Sequence, residues 1–195
     1  MQHDTRARDT KAEIHQAALE LFSTRGYEKT SLREIAERVG ITKASLYYHY
    51  SSKHELLKAI IGSFFEDLNE MLNLVDQLPW SAETERELMG AYLDVVIKHR
   101  VAGPLVLRDL AAVLAAFGDD LDEVVARSRD FQIWLAGPDP TVGDRLLAAA
   151  AVEVVGAVLS SGLGPSEVSD DEIRAVLLDA ATAVLSRRQR TTTNV

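Results

Sequence analysis

The sequence predicts an all-α protein of about nine helices, in which a small N-terminal helix-turn-helix domain is joined to a larger helical body. Three observations carry this. Apolar residues recur at helical spacing along most of the 195-residue chain, and no stretch alternates as a strand would. Helix-start signatures of the form Ser/Thr-x-x-Glu occur at Thr10-Glu13, Ser31-Glu34, Ser52-Glu55 and Ser169-Glu172. The strongest breakers, Gly40, Gly103-Pro104, Gly118 and Gly137-Pro138, fall between the periodic runs. With 47% hydrophobic residues the chain can bury a substantial core.

The first helix is expected over residues 10–25. Thr10 and Glu13 cap it, Ile14, Ala17, Ala18, Leu21 and Phe22 form one apolar stripe, and Gly26 stops it, with Tyr27 packed back on the stripe. Ser31 and Glu34 open a second helix to Val39, with Leu32, Ile35, Ala36 and Val39 facing inward. Gly40 ends it, because glycine takes φ > 0 without strain. Thr42 caps a short helix over 43–49. Ser52 and Glu55 open a long one through Leu56, Ile60, Phe64, Leu68 and Leu72 to about Val75.

Beyond Pro79, Ser81 caps a helix over 82–100, Gly103-Pro104 opens one over 105–117, and a third block covers 121–136. Gly137-Pro138-Asp139-Pro140 is a turn. The run 141–163 is rich in Ala and Val, small residues that permit close helix–helix approach, and Ser169 and Glu172 open the last helix, which carries Ile173, Val176, Leu177, Ala180, Val184 and Leu185. The expected division is residues 1–57, residues 58–188 and a frayed polar tail over 189–195.

Chemistry concentrates in the corner between the second and third helices. Two helices crossing steeply need a small residue at the contact, a glycine in the turn and an apolar anchor on the second helix; Ala36, Gly40 and Leu46 supply them. With Leu46 buried, Lys43, Ala44, Ser45, Tyr47, Tyr48 and His49 remain on the other faces. That is the composition of a recognition helix, whose first turns meet base edges in the major groove. Lys43 can reach guanine O6/N7 or a phosphate, Ala44 and Ser45 let the helix sit close, and Tyr47 brings a ring and a hydroxyl to a base or sugar. Lys53 stands in the first turn of the long helix, where backbone N–H groups and the dipole already favour an anion, and so suits a phosphate clamp. Thr30, Ser31 and Arg33 begin the preceding helix and are expected on the other side of the groove.

The charge distribution agrees. Residues 1–60 hold ten Lys and Arg against eight Asp and Glu, whereas residues 61–195 hold eleven against twenty-two, within a net charge of −9. An acidic body with a mildly basic end fits a protein that touches phosphates with that end alone. The absence of Cys excludes disulfides and thiolate sites. His3, His15, His49, His54 and His99 form no metal-binding spacing, and no GxSxG or Gly-rich phosphate loop is present, so no enzyme, metal or cofactor is expected. No apolar h-region opens the chain and no apolar run approaches a membrane span of about 20 residues, so a cytoplasmic protein is expected.

Three strings carry a resemblance: Ala17-Ala18-x-x-Leu21-Phe22-x-x-x-Gly26-Tyr27, Thr30-Ser31-x-x-x-Ile35-Ala36-x-x-x-Gly40-Ile41, and Ser45-Leu46-Tyr47-Tyr48-His49-Tyr50-x-x-Lys53-x-x-Leu56-Leu57. From about Ile14 to Ile61, a quarter of the chain, the sequence resembles the N-terminal DNA-binding domain of the TetR family of transcriptional repressors. Tyr50 stands where that family commonly has Phe. The resemblance implies that Tyr48 and His49 contact the DNA backbone. It also implies a homodimer on a near-palindromic operator, with a four-helix interface from 141–163 and 170–186. The residues expected there are Ala149, Val152, Val155, Gly156, Leu159, Val176, Leu177, Ala180 and Val184.

The helices over 52–75, 82–100, 105–117 and 121–136 would then enclose a ligand, with Phe64, Met71, Tyr92, His99, Phe117, Phe131 and Trp134 as candidate contacts. Their apolar character suits a small hydrophobic or amphipathic effector. A ligand preferring one spacing of the two reading heads would lower DNA affinity by its differential binding, with the long helix from Ser52 as the lever. The function expected is therefore a dimeric, ligand-released repressor. An activator or protein-responsive regulator of the same fold stays open, as does an interaction protein that has lost DNA binding, against which Lys43, Tyr47 and Lys53 argue.

Overall fold

The computed structural model describes residues 2–118, 120–160 and 167–188, and every regular element among them is helical. In order these are α1 (Gln2–Arg25), α2 (Leu32–Val39), α3 (Lys43–His49), α4 (Lys53–Leu72), α5 (Ala82–Lys98), a 3₁₀ turn (Arg100–Ala102), α6 (Gly103–Arg108), α7 (Leu110–Phe117), α8 (Asp120–Leu135), α9 (Val142–Ser160) and α10 (Asp170–Leu185). The expected tail over 189–195 and the end of the 141–163 helix beyond residue 160 lie outside the described residues.

The chain forms two compact units. The first joins the residues up to Ser63 with Ala102–Gly118; the second joins Phe64–Val101 with the chain beyond Gly118. The boundary therefore falls inside α4, which gives its first turns to one unit and its last to the other, rather than at residue 57. Residues 102–118, expected with the C-terminal body, belong with α1. The last carbonyls of a helix have no intrahelical donor. Arg108 supplies one, its guanidinium donating to the carbonyls of Thr24 at 3.2 Å and Arg25 at 3.4 Å. The neighbouring Asp109 carboxylate accepts from the Tyr27 N–H at 2.9 Å. Asp109 leaves helical geometry (φ −114°, ψ 37°), so the run expected as one helix over 105–117 is two, α6 and α7.

In the first unit Ile14, Ala18 and Phe22 of α1, Ile35 of α2, Leu46 of α3 and Leu56, Leu57 and Ile61 of α4 are buried together in its interior. Burial of each large side chain contributes about 1.5–3 kcal/mol, which is what holds helices as short as α2 and α3 in place. The start of α1 departs from expectation. It begins at Gln2, so Thr10 and Glu13 lie within it; nothing between residues 2 and 9 breaks a helix, there being no Gly or Pro.

The second unit packs α10 on α9 and α5, and both α8 and α5 on α9. Ala148 and Ala151 of α9 and Ala181 of α10 are fully buried, among Leu88, Met89, Leu93, Leu135 and Leu185. Glu85 and Arg188 form a buried ion pair, with the guanidinium 5.7 Å from the centre of the Trp80 ring. The Trp80 indole covers Gly137, where φ is 84° and an added Cβ would lie 3.2 Å from the ring. The turn expected at 137–140 thus needs its glycine for both conformation and space.

Candidate nucleic-acid interface

Local hydrogen bonds set the α2–turn–α3 corner. The Ser31 hydroxyl accepts from the Glu34 N–H at 3.3 Å, and the Glu34 carboxylate accepts from the Ser31 N–H at 2.8 Å, a complete capping box. These bonds from Ser31 hold the Glu34 carboxyl below the usual carboxylate range, so the box is intact at neutral pH. Gly40 sits at φ 77°, and the Ile41 N–H donates back to the Ala36 carbonyl at 3.0 Å. Thr42 caps α3 by accepting from the Ser45 N–H at 3.1 Å, and the Tyr50 N–H closes its far end on the Leu46 carbonyl at 3.0 Å. Ala36 and Leu46 are both buried, which leaves the rest of α3 to face away.

The outer face of α3 carries what the sequence places there. Thr42, Lys43 and Ala44 are exposed, and Ser45 and His49 are half-buried. Tyr47 is 45% exposed and Tyr48 87% exposed. An aromatic ring left almost wholly in water gains nothing from folding, so Tyr48 is a group with surface still to bury. Lys43 Nζ lies 5.3 Å from the centre of the Tyr47 ring, and the Tyr48 and His49 rings meet edge-on at 5.5 Å.

The flanking residues divide. Ser31 and Arg33 are exposed; Arg33 pairs with Glu37 at 2.8 Å, an exposed ion pair of small net worth that an incoming phosphate can replace. Thr30 does not fit its expected place. It is buried, and its hydroxyl donates to the Gly26 carbonyl at 2.9 Å, so it closes the end of α1 instead of facing outward. Lys53 is half-buried, with Nζ donating to the Tyr27 carbonyl at 2.8 Å and the Glu28 carbonyl at 3.3 Å, 4.2 Å from the centre of the Tyr27 ring. An ammonium has three protons; two are engaged here, and the group is held in one orientation. The cap of α4 is shifted relative to a simple box: Ser52 accepts from the Glu55 N–H at 3.1 Å, but the Glu55 carboxylate takes the Ser51 N–H at 2.7 Å.

The residues expected around an effector are divided between the two units. Phe117 is buried in the first unit; the other six lie in the second. There Met71 and Phe131 are buried in the core, while Phe64, Tyr92 and Trp134 are packed against it partly buried. Tyr92 meets Phe131 with ring centres 5.6 Å apart, and burial, followed by the charge of Glu153, pushes its hydroxyl up to about 12. His99 stands edge-on to Phe64 at 5.5 Å and donates from Nε2 to Asp67 at 2.6 Å. Hydrogen bonds from Lys98 and then His99 hold the Asp67 carboxyl below its usual range. A cleft of about 420 Å³ between α4 and α5 is lined by Met71 together with Asp67, Glu70, Leu74, Asp94 and Lys98.

Of the residues expected at an interface, Val155 is fully buried and belongs to the unit's own core. Ala149, Val152, Gly156, Leu159, Leu177, Ala180 and Val184 are half-buried, and Val176 is exposed. Sequence reasoning missed Val142 and Leu146, which are 74% and 67% exposed at i, i+4 spacing on α9; that spacing was the available signal. It also missed Arg108 and Asp109, whose partners lie so far back in the chain that no local pattern announces them. Among the described residues no His, Asp and Glu side chains gather as a metal site would need, and no helix is long and apolar enough to cross a membrane.

The comparisons with known proteins follow this division of the chain. Residues 14–60 match the model of the bacterial regulatory proteins of the tetR family. The chain is 35% identical over 82 residues to the HTH-type transcriptional regulator TtgR of Pseudomonas putida, covering 42% of this chain and 36% of that protein. It is 42% identical over 62 residues to IcaR, the HTH-type negative transcriptional regulator of the biofilm operon icaADBC in Staphylococcus aureus strain Newman, covering 32% of this chain and 33% of IcaR. The chain thus spans about a third of the length of the curated relatives it matches. Among solved structures, a TetR-like transcriptional regulator from Rhodococcus sp. RHA1 is 27% identical with a TM-score of 0.65, covering 91% of this chain and 96% of that one. Residues 14–60 thus match the N-terminal domain of the tetR family of bacterial regulatory proteins, and the fold along most of the chain is that of a TetR-like transcriptional regulator.

Proposed function

We propose that the protein is a DNA-binding transcriptional repressor, acting as a homodimer on a near-palindromic operator that it reads through Thr42–His49. The observation that supports this best is the exposure of Tyr47 and Tyr48, beside Lys43, on a helix otherwise anchored by Leu46. Such side chains suit sugar-phosphate and base-edge contacts in a major groove. Ser31 and Arg33 flank the corner, and Lys53 keeps a third proton for a phosphate oxygen. The repressor sense draws support from the negative regulation stated for IcaR, and the reading head from the match over residues 14–60.

One such head touches few base pairs, so selectivity requires two. The α9–α10 pair, with Val176, Leu146 and Val142 exposed, is the apolar surface best suited to join two copies. Release would come from a small, mainly apolar effector in the second unit, whose candidate contacts are Phe64, Met71, Tyr92, His99, Phe131 and Trp134. The effector acts by its differential affinity for DNA-competent and DNA-incompetent states. The test is fluorescence anisotropy with duplex DNA from the region upstream of the protein's own gene, at two salt concentrations, against a scrambled duplex. Tight, selective binding that weakens steeply with salt is the expected result. Equal weak binding to both duplexes at every salt concentration would sink the reading.

A further inference from the structure

Tyr50 departs from the phenylalanine common at its position, and its extra hydroxyl is not idle. Its ring is 7% exposed, yet the hydroxyl lies 2.5 Å from Nε2 of His15 on α1, with the two rings tilted and their centres 5.6 Å apart. Burial, and then the charge of Lys11 one turn earlier on α1, lowers the His15 pKa, while burial raises that of Tyr50. At neutral pH the imidazole is therefore uncharged and the phenol keeps its proton. The Tyr50 O–H donates to Nε2, and the imidazole proton sits on Nδ1.

The location of this bond gives it a consequence for α3. The N-terminal end of α3 is tied to α2 through the Gly40 turn and the buried Leu46. Tyr50 is the residue that ends α3, its N–H bonded to the Leu46 carbonyl and its backbone extended at φ −141°, ψ 118°. A bond from Tyr50 to α1 is a second tether at the opposite end. A helix of this length held at one end can tilt or roll about that end; held at both, it presents Tyr47, Tyr48 and His49 in one orientation. We propose that His15 and Tyr50 form a positioning pair that sets the angle of α3, so that His15, which lies on α1 outside the reading helix, governs how tightly that helix binds. The inference rests on the DNA-binding reading above.

The test uses the full-length protein and a duplex selected from a random library by the wild type, with affinity measured well below the melting temperature. Tyr50→Phe removes the hydroxyl and keeps the ring; it is expected to bind that duplex about five- to tenfold more weakly, the scale of one directed hydrogen bond, with helix content retained and the salt slope unchanged because no phosphate contact is lost. His15→Leu should weaken binding to the same degree, and the double variant no further, since both remove one bond. His15→Gln, whose Oε1 can accept the same proton, should bind within about twofold of the wild type. Wild-type affinity in Tyr50→Phe overturns the inference, as does a double variant whose loss is the product of the two single losses. If Tyr50→Phe proves misfolded, equal affinities for His15→Leu and His15→Gln overturn it instead. A wild type that selects no duplex at all overturns the DNA-binding reading and the positioning role together.

Discussion

The α2–α3 corner and the α9–α10 pair both expose large side chains, and the chemistry of those side chains differs. On α3 they are Tyr47 and Tyr48, hydroxylated aromatics set among Lys43, Arg33 and His49. On α9 and α10 they are Val142, Leu146 and Val176, aliphatic groups with no polar handle. An aliphatic side chain can recover its exposure cost only against another apolar surface. A tyrosine can recover it against a polar, hydrated one, since its ring packs while its hydroxyl stays bonded. The first surface therefore suits a partner dense in phosphates and base edges, and the second a partner that is itself apolar, of which a second copy of the chain is the simplest.

Charge placed on the aliphatic surface should separate the two most clearly. Leu146→Glu together with Val176→Glu leaves each unit folded, because both side chains are already exposed. Buried in an interface without a partner, each carboxylate costs several kcal/mol, so the variant should sediment as a monomer and lose operator affinity by about a hundredfold or more. A variant that remains a dimer would place the joining surface elsewhere. The corresponding change on the other surface is smaller. Tyr47→Ala or Lys43→Ala should weaken selective DNA binding by about 1–3 kcal/mol and leave the sedimentation coefficient unchanged. Unaltered affinity in both would remove α3 as the reading helix.

How much of this was legible beforehand tracks the sequence distance over which each feature is made. The Ser31–Glu34 box, the Gly40 turn, the Thr42 cap and the burial of Leu46 were all readable, because each is completed within a few residues and spacing alone encodes it. Local spacing does not encode features that a distant partner decides. Asp109 interrupts the 105–117 run because Tyr27 takes its carboxylate, and Val155 turns inward because the rest of the second unit covers it. Thr30 is the instructive middle case. Its place at the start of α2 suggested an outward role, but its hydroxyl is drawn back to the carbonyls ending α1. Thr30→Val should accordingly cost about 1 kcal/mol of stability, the usual worth of one such hydrogen bond, and leave the salt slope of DNA binding unchanged. A shallower slope would return Thr30 to the interface.

The two units should also separate by pH, through His15 in one and Asp67 in the other. The folded first unit lowers the His15 pKa beneath its ordinary 6.5, so the unfolded chain binds the proton more readily. Stability linked to His15 is then complete above about pH 6.5 and is lost as the pH falls through that value towards the lower, folded one. Asp67 is lowered from 3.8, so its contribution is present above that pH and is lost only as the pH falls below it. Both tryptophans, Trp80 and Trp134, lie in the second unit, so their fluorescence reports that unit alone, whereas far-ultraviolet dichroism reports both. Denaturation followed by the two signals should diverge between about pH 6 and pH 4, with the dichroism midpoint falling first. His15→Gln should abolish that early decline, and Asp67→Asn should flatten only the later, fluorescence-detected one. Should His15→Gln decline as the wild type does, the acid-sensitive group of the first unit lies elsewhere, and its contrast with the second would rest on side-chain chemistry alone.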